Sequence, residues 1–459
     1  MSTTVPPGKT SAVVPGPAGS PLLGSMLELR RGALDLFLDA RRDYGDVVRF
    51  TAGPPGLRKE IYAVFSAEGA QQVLATEATN FRKDSRFYQE VRETAGNNLL
   101  TSQDAVYQRQ RRLLQPLFTR RRVDGYATQI AEETQALLTA WRNAPDDTVE
   151  LVEDMSRLTQ RITVRILFGA DFEAALDVVA RCFPVVGDYI QRRSYSFVSV
   201  PRTWPTPMNR RAAAATEELY SVCDRVIEKR RAGADSSAAE DMITLLVQAQ
   251  NAEDGKLDAS EVRDQALVFL LAGTETTSTS LAMALHLLAR HPEAQERARE
   301  EVRRVLGTRA PVSSDMDELP YLSWVFKEAM RLYPAGAFVT RNAVAATEID
   351  GYTIPAGAEV LVSPWVTQRH PRYWDEPERF DPERFTPEQE KARHRYAWFP
   401  FGGGPRACIG RHLSMLESVM ALAMILRQYE LDAVDEHVPV TYGVTLRTET
   451  PVRCRLRPA

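Results

Sequence analysis

The chain has 459 residues, and its 57 basic side chains nearly balance its 61 acidic ones, so that the formal net charge is −4. This balance leaves no electrostatic footprint for nucleic acid or for an anionic membrane surface. Hydrophobic residues make up 44% of the chain and charged residues 26%, which is typical of a globular protein and excludes a disordered or fibrous one. The four cysteines are widely scattered, which argues against a disulfide scaffold and indicates a reduced, cytoplasmic protein.

The N-terminal segment, residues 1–24, is rich in proline and glycine and lacks the basic and apolar regions of a signal peptide. It is predicted to be a flexible lead into an ordered body over residues 25–459. No apolar run reaches the roughly 18 residues that cross a bilayer, and the best one, residues 266–273, is interrupted by Thr274 and Glu275. The chain is therefore predicted to carry no integral membrane anchor.

Apolar residues with helical spacing predict long helices at residues 126–141, 212–231, 260–290, 292–306, 321–332 and 410–429. Short β-branched stretches predict strands at residues 46–51, 61–65, 343–349 and 359–362. The last two strands are separated by a predicted turn at residues 350–355, and residues 232–240 are predicted to form a surface loop. The predicted fold class is mainly α with a small β-rich part.

Polar residues interrupt the predicted helix 260–290 at residues 272–277, which read Ala-Gly-Thr-Glu-Thr-Thr. Glycine in a helix costs about 1 kcal/mol relative to alanine, and buried hydroxyl groups need hydrogen-bond partners. A local widening of the helix around a water molecule would satisfy both requirements, whereas a threonine-rich solvent face is the alternative. The apolar residues 267–271 directly before the segment favour a functional site.

A glycine-rich loop that contains a cysteine stands before the last predicted helix and reads Phe-Gly-Gly-Gly-Pro-Arg-Ala-Cys-Ile-Gly over residues 401–410. Backbone N–H groups and the positive end of the following helix both favour a thiolate at Cys408, and thiolates bind metals. An isolated cysteine is more often a buried structural thiol, and this interpretation suits Cys182, Cys223 and Cys454. It suits Cys408 poorly, because the successive glycines indicate a close approach of the backbone to a bulky group.

The two motifs resemble those of the cytochromes P450, haem-thiolate monooxygenases whose signature is Phe-x-x-Gly-x-Arg-x-Cys-x-Gly. The signature is matched position by position at Phe401, Gly404, Arg406, Cys408 and Gly410. The resemblance implies that Cys408 is the axial ligand of haem b, that Phe401 packs beside the sulfur, and that Arg406 pairs with a haem propionate. Gly402 lies in the same haem-binding loop. A thiolate ligand gives electron density to the iron and so favours cleavage of the O–O bond.

The resemblance assigns roles to residues elsewhere in the chain. Glu275 and Thr276 match the family's acid–alcohol pair, which relays protons and activates dioxygen. The haem propionates carry two negative charges that need polar or basic partners. Further partners of this kind are implied to be Tyr107, Arg111 and Arg341. The family usually has tryptophan or histidine where this chain has Tyr107.

Glu328 and Arg331 form a Glu-x-x-Arg pair on one face of the predicted helix 321–332. As a surface pair it would stabilise the helix by only a few tenths of a kcal/mol. In the family this pair meets an arginine from a Pro-Glu-Arg-Phe segment, which matches residues 382–385 and makes Arg384 the third member of a structural triad. The tetrapeptide also occurs at residues 377–380, so the choice of Arg384 depends on its position in the longer segment.

The resemblance covers nearly the whole chain and implies one catalytic domain at residues 25–459 with the cytochrome P450 fold, a helical triangular prism with a small β-rich lobe. It also implies a largely apolar pocket and a lipophilic substrate such as a terpenoid, fatty acid or polyketide. The residues expected to line this pocket are Phe87, Phe269, Ala272, Ala337, Phe338, Val339 and Val444.

The implied reaction inserts one oxygen atom of O2 into a lipophilic small molecule, in secondary metabolism or catabolism. The chain has no length left for a flavin or nicotinamide domain and no cysteine cluster for an iron–sulfur centre. We therefore expect a monomer that receives electrons from a separate ferredoxin or flavodoxin-like protein and its reductase. Two alternatives are a peroxide-driven member of the family and a haem-binding sensor without turnover, and the Glu275–Thr276 pair argues against both.

Overall fold

The structure is a computed structural model that describes residues 13–194, 196, 200–232 and 241–458. Helices predominate in this part of the chain, so the prediction of a mainly α protein with small sheets is confirmed. The α-helices are, in chain order, α1 (Met26–Tyr44), α2 (Ala67–Gln71), α3 (Arg86–Ala95), α4 (Asp104–Leu114), α5 (Arg120–Asp124), α6 (Ala127–Arg142), α7 (Leu151–Phe168), α8 (Phe172–Ser194), α9 (Pro207–Arg231), α10 (Met242–Gln248), α11 (Ala259–Arg290), α12 (Pro292–Leu306), α13 (Pro320–Leu332), α14 (Pro364–Thr367), α15 (Pro387–Ala392) and α16 (Arg411–Gln428).

The strands are short and belong to a five-stranded sheet, a three-stranded sheet and three two-stranded ribbons. They are β1 (Val47–Ala52), β2 (Lys59–Val64), β3 (Phe81–Arg82), β4 (Thr148–Glu150), β5 (Gln250–Asn251), β6 (Gly255–Lys256), β7 (Val339–Ala343), β8 (Thr347–Ile349), β9 (Tyr352–Ile354), β10 (Glu359–Val362), β11 (Tyr429–Ala433), β12 (Val440–Tyr442), β13 (Leu446–Thr448) and β14 (Arg453–Pro458).

The chain divides into two compact units. Unit 1 consists of Met1–Ser85, Ala337–Pro377 and Arg393–Ala407, and unit 2 of Arg86–Gly336, Glu378–Ala392 and Cys408–Ala459. The single catalytic domain at residues 25–459 stays a prediction. No helix in the described ranges is both long enough and apolar enough to span a membrane.

Unit 1 is built on the five-stranded sheet, whose strand order is β1-β2-β10-β7-β3. The β2–β10 pair is parallel and the other pairs are antiparallel. Val48 and Phe50 of β1 are fully buried, and their spacing of two residues puts them on one face of the strand. This face of β1 therefore belongs to the core of unit 1.

The prediction of one strand at residues 343–349 is wrong. Its residues divide between β7, which pairs with β10, and β8, which pairs with β9 in a separate hairpin. The hairpin turns at Asp350 and Gly351, whose φ angles of 48° and 84° are those of a tight two-residue turn. The predicted turn at residues 350–355 thus contains a strand of its own, because an Asp-Gly pair needs only two residues to reverse the chain.

The described part of the N-terminal lead lies along β1. The backbone N–H of Arg49 donates to the carbonyl oxygen of Pro15 at 2.8 Å, and Gly24 forms a bridge with Ala52. Val14 is buried. Residues 1–12 and, apart from Ala232, the predicted surface loop at residues 232–240 lie outside the described residues.

Helix α11 runs for 32 residues through unit 2. It begins at a capping box in which the Asp258 carboxylate accepts from the Glu261 N–H at 2.8 Å and the Glu261 carboxylate accepts from the Asp258 N–H at 3.0 Å. Every residue from Thr277 to Ala289 is buried, and a helix covered on all sides belongs in the interior. The second half of α11 is therefore part of the core of unit 2.

Helix α7 packs along α11 at the polar segment of that helix. The Thr159 hydroxyl donates to the carbonyl oxygen of Thr274 at 3.0 Å. A Cβ atom at Gly273 would lie 3.2 Å from Oγ1 of Thr163, so glycine allows a close approach here. These contacts fix the part of α11 that carries the predicted acid–alcohol pair.

Candidate active site

Cys408 differs from the other cysteines in its exposure. Its thiol is exposed, whereas Cys182, Cys223 and Cys454 are buried. Burial raises the pKa of Cys223 and of Cys454 to about 12, so both thiols stay protonated and unreactive near neutral pH. Cys408 is therefore the one cysteine of this chain whose sulfur is accessible to a metal.

Gly410 follows Cys408 by two residues and forms the N-cap of α16. A Cβ atom at Gly410 would lie 3.9 Å from the Cys408 sulfur, and nothing else is within 4 Å of it. A larger side chain at this position would thus cover the thiol. An open thiol at the start of an 18-residue helix fits a thiolate-bound metal group such as haem, because the helix dipole favours negative charge there.

The glycine-rich loop before Cys408 belongs to unit 1. Gly404 has a φ of +62°, and a Cβ atom on it would overlap the carbonyl oxygen of Leu74. Gly402 has a φ of +68°, and its N–H donates to the carbonyl oxygen of Phe399 at 2.9 Å. Glycine is needed at position 404 for both conformation and space. The close approach at this glycine is to the backbone of Leu74, and the predicted approach of the loop to a bulky group stays a prediction.

Unit 1 also carries three other predicted haem-binding residues. Arg341 lies on β7, is buried, and donates to the carbonyl oxygen of Thr340 at 2.8 Å. Arg406 ends a single 3-10 turn that starts at Gly404. The ring of Phe401 packs edge-on against that of Trp398, with 6.3 Å between centroids.

The other two predicted propionate partners, Tyr107 and Arg111, lie one turn apart on α4 in unit 2. Tyr107 is buried and Arg111 is half-buried. The neighbouring Arg112 forms an ion pair with Asp254, with 2.6 Å between Nη2 and Oδ1. Arg109, which also lies on α4, forms an ion pair with Glu261.

Two of the three threonine hydroxyl groups in the polar segment of α11 bond back to the helix itself, whereas that of Thr277 lies 3.4 Å from Oγ of Ser414. Thr276 Oγ1 donates to the carbonyl oxygen of Ala272 at 2.6 Å, and Thr274 Oγ1 donates to that of Leu270 at 3.0 Å. The helix is a continuous α-helix over this segment, so the predicted local widening is absent. Threonine can satisfy its hydroxyl on the carbonyl four residues earlier, which removes the need for an inserted water.

Glu275 forms an ion pair that sequence analysis missed. Its Oε1 accepts from Nε of Arg447 at 2.9 Å and lies 2.7 Å from Nη2 of the same residue. Arg447 lies on β13, three residues after Val444, which was expected to line the pocket. The available signal was the alternation of Leu446 and Arg447, which sends the arginine to the face opposite a buried leucine.

The structure brings the three predicted triad residues together. Glu328 accepts from Nε of Arg331 at 2.6 Å and from Nη2 at 2.8 Å, and both side chains are fully buried. Nε of Arg384 lies 3.5 Å from Glu328 Oε1. The guanidinium of Arg379 instead pairs with Asp381 at 2.9 Å and is 57% exposed, so the second tetrapeptide supplies the third member.

The predicted pocket residues divide between the units, and each phenylalanine among them packs against another ring. In unit 1, the rings of Phe338 and Phe37 pack with 5.8 Å between their centroids. Phe338 lies between the buried Ala337 and the half-buried Val339 in the chain. In unit 2, the ring of Phe87 packs against that of Tyr88 with 5.2 Å between centroids, and the ring of Phe269 packs against that of Phe118 with 5.1 Å between centroids. Ala272 is exposed and Val444 is half-buried.

A mostly apolar cavity in unit 2 lies among α3, α8, α9 and α11. Its lining residues are Thr94, Ala95, Phe183, Val186, Thr216, Leu219, Tyr220, Leu267 and Leu271. None of the seven predicted pocket residues is in this set. Sequence analysis missed the contribution of α8 altogether, since Pro184 interrupts its helical pattern, although its apolar residues keep the spacing of one helix face.

Helix α16 buries an acid that sequence analysis also missed. Glu417 is 2% exposed, and its Oε1 has no hydrogen-bond partner in the part of the chain that the structure describes. Burial raises the pKa of Glu417 well above its ordinary value of 4.5. The carboxyl group is therefore protonated at a pH where an exposed glutamate is charged.

The wild type is expected to lose stability as the pH rises, and we expect Glu417→Gln to lose less. Above pH 4.5 the unfolded wild type releases the proton that its folded state keeps, so stability is full below that pH and falls as pH rises toward the folded pKa. The loss is at most about 1.4 kcal/mol per pH unit. Thermal unfolding measured from pH 5 to pH 7 should show that the stability of the variant relative to the wild type increases with pH. Glu173→Gln, at a site that is 79% exposed, is the control, and a constant difference would contradict the prediction.

Comparison with known proteins gives consistent matches over nearly the whole chain. A family profile described as Cytochrome P450 matches residues 14–451. The chain is 34% identical over 435 residues to the cyclooctat-9-en-7-ol 5-monooxygenase of Streptomyces melanosporofaciens, an alignment that covers 94% of this chain and 92% of the relative. It is 30% identical over 443 residues to the pentalenene oxygenase of Streptomyces avermitilis, with 96% of each chain covered. The crystal structure of the cytochrome P450DA haem domain matches with a TM-score of 0.88 at 28% identity, covering 98% of this chain and 99% of that one.

Proposed function

Because the chain belongs to the cytochrome P450 family and is a haem-thiolate monooxygenase, we propose that the lipophilic molecule it oxidises is a terpenoid. The family's haem b, when bound, supplies the activation of O2 and the insertion of one oxygen atom, with electrons from a redox partner. The observation that carries the choice of substrate is that two relatives at 30% identity or more are named for cyclooctat-9-en-7-ol and pentalenene.

The substrate proposal is tested by screening terpenes, fatty acids and polyketides for the blue shift of the Soret band that follows loss of water from the iron. Cyclooctat-9-en-7-ol and pentalenene are the first probes, and product analysis by mass spectrometry then identifies an added oxygen atom. We expect terpenes to give the tightest shifts and the hydroxylated products. Turnover of fatty acids or polyketides with none of terpenes would overturn the proposal.

We propose that Cys408 holds the haem iron, which is supported by the exposure of its thiol and by the open space over Gly410. The residues proposed to surround the haem in the binding loop are Phe401, Gly402, Gly404 and Arg406. The proposed further partners of the propionates are Tyr107, Arg111 and Arg341. Glu328, Arg331 and Arg384 are proposed to act on structure alone, which is supported by the full burial of the first two.

We propose that Glu275 and Thr276 deliver protons during oxygen activation. Glu275 is 31% exposed, so its carboxylate can exchange protons with water. Thr276 donates its own proton to Ala272, which leaves the lone pairs of its oxygen able to accept a hydrogen bond from a water molecule. Thr276 would therefore orient the last proton carrier while Glu275 supplies the proton.

Thr276→Ala is expected to separate proton delivery from substrate binding. Haem content and the Soret shift should stay unchanged, because neither depends on the hydroxyl group. The ratio of product to oxidised nicotinamide should fall severalfold, and hydrogen peroxide should rise. Thr274→Ala is the matched control, since it removes another hydroxyl that bonds back to α11. Unchanged coupling in Thr276→Ala would remove this threonine from the mechanism.

We further propose that the electron donor is a separate ferredoxin or flavodoxin-like protein with its reductase, and that residues 25–459 work as one catalytic domain in a monomer. The proposal of a separate donor is supported by the scatter of the four cysteines, none of which belongs to a metal-binding group among the described residues. A cytoplasmic location is proposed because all four cysteines are free, as is usual in reducing compartments.

A further inference from the structure

Arg447 holds the carboxylate of Glu275 by one of its two oxygen atoms. Nε and Nη2 of Arg447 both approach Oε1 of Glu275, at 2.9 Å and 2.7 Å. Oε2 of Glu275 accepts no hydrogen bond from the described residues. The carboxylate thus has one anchored oxygen and one oxygen without a donor among the described residues, in a side chain that is 31% exposed.

The strand that carries Arg447 is itself fixed to the rest of unit 2. The N–H of Leu446 donates to the carbonyl oxygen of Ala335 at 2.8 Å, and the Leu446 side chain is fully buried. The Thr279 hydroxyl, one turn along α11 from Glu275, lies 3.4 Å from the carbonyl oxygen of Leu446. The backbone next to Arg447 is therefore held against the same helix that bears Glu275.

The ion pair contributes little to folding. The side chains of Arg447 and Glu275 are 42% and 31% exposed, and ion pairs that are this exposed add little to the stability of a protein. Loss of the pair should leave the protein folded. What the guanidinium does provide is direction, because two of its nitrogens converge on Oε1 in the fixed geometry of a planar group, which a lysine ammonium cannot reproduce.

We propose that Arg447 is a positioning residue for proton delivery: it holds Glu275 by Oε1 and keeps Oε2 toward the water from which protons come. A proton that Oε2 takes from water is passed on to the water at Thr276, and the carboxylate is restored with no net change in charge. This inference rests on the proposed function, in which Glu275 supplies protons for the reduction of O2 by the electrons of nicotinamide.

The test compares full-length, haem-loaded Arg447→Gln, Arg447→Lys and Glu275→Gln with wild type, using a surrogate ferredoxin and its reductase. Nicotinamide oxidation, peroxide and product are measured in H2O and D2O, with cyclooctat-9-en-7-ol and without any terpene, since reduction of O2 to peroxide also needs protons. We expect Arg447→Gln to slow nicotinamide oxidation severalfold and to raise the solvent isotope effect in both conditions. Arg447→Lys should recover part of the rate, because it restores the charge without the fork.

Arg455→Gln is the matched control. Arg455 is 56% exposed, lies on β14 in a different sheet from Arg447, and forms an ion pair with Asp147. It should behave as wild type, and its thermal stability should equal that of Arg447→Gln. The double variant of Arg447→Gln and Glu275→Gln should be no slower than Glu275→Gln alone, since both changes act on one step.

A normal rate and isotope effect in Arg447→Gln, together with an impaired Glu275→Gln, would refute the positioning role and leave the proposed function intact. Normal behaviour of Glu275→Gln would instead remove this acid from proton delivery, and the role of Arg447 with it. Loss of haem or of thermal stability in Arg447→Gln beyond that of Arg455→Gln would assign Arg447 to structure and overturn the proposal.

Discussion

Cys408→Ser is expected to abolish the absorption near 450 nm of the reduced carbon monoxide complex. That band is the spectral mark of a thiolate bound to haem iron, and a serine hydroxyl is not deprotonated at neutral pH and cannot give electron density in the same way. Monooxygenase turnover should fall below detection, because cleavage of the O–O bond depends on that donation. The measurement is the difference spectrum of the reduced protein with and without carbon monoxide.

Cys182→Ser is the control for this variant, because Cys182 is a buried thiol of α8 whose pKa is raised by burial. It should keep the band near 450 nm, which arises from thiolate ligation alone. If Cys408→Ser kept the band as well, another residue would have to be the iron ligand. Loss of the band in Cys182→Ser alone would likewise contradict the assignment of Cys408 as the iron ligand.

Glu328→Ala is expected to give haem-free or aggregated protein. The carboxylate lies between Arg331 and Arg384 and also accepts from the N–H of Asp381 at 2.9 Å. Its removal leaves the fully buried Arg331 without its counterion, which costs about 3–5 kcal/mol of the free energy of unfolding. Since proteins are stable by about 5–15 kcal/mol, this loss is a large part of the total. Soluble yield, haem content and thermal unfolding measure the outcome.

The neighbouring pair of Lys327 and Glu390 provides a matched control for Glu328→Ala. Their side chains lie 2.8 Å apart but are 17% and 38% exposed, so Glu390→Ala should cost less than about 1 kcal/mol. Both variants remove the glutamate from an ion pair that involves α13, but Glu328 is fully buried whereas Glu390 is 38% exposed. Stable, haem-loaded Glu328→Ala with a selective loss of turnover would contradict the structural role of the triad.

The helices that sequence analysis predicted best are those with clear boundaries. Helix α12 has the predicted bounds of 292–306, because Pro292 can start a helix and Gly307 has a φ of +53° that ends it. Helix α9 begins five residues before the prediction of 212, at Pro207, where Thr206 caps the helix through the N–H of Asn209. Helix α8 was not predicted at all, since Pro184 interrupts its pattern although the helix continues through it.

The candidate site could be predicted only as far as its residues lie in short motifs. Cys408, Thr276 and the Glu328 pair are each marked by neighbours within a few positions. Arg447 is not, because it is 172 residues from Glu275 in sequence and meets it only in the folded unit. Glu417 is missed for a related reason, since its burial follows from helices that cover all sides of α16.

For protein engineering, the three adjacent glycines of the cysteine loop differ in how much variation they can accept. A Cβ atom at Gly402 would meet nothing within 4 Å, so asparagine or aspartate, which tolerate positive φ, are acceptable replacements there. At Gly403 a Cβ atom would overlap the ring of Tyr396, a side chain that can be exchanged together with it. At Gly404 the overlap is with the backbone of Leu74, which no second substitution can remove. A combinatorial library aimed at this loop should therefore restrict position 402 to glycine, asparagine and aspartate, vary position 403 jointly with position 396, and keep position 404 constant.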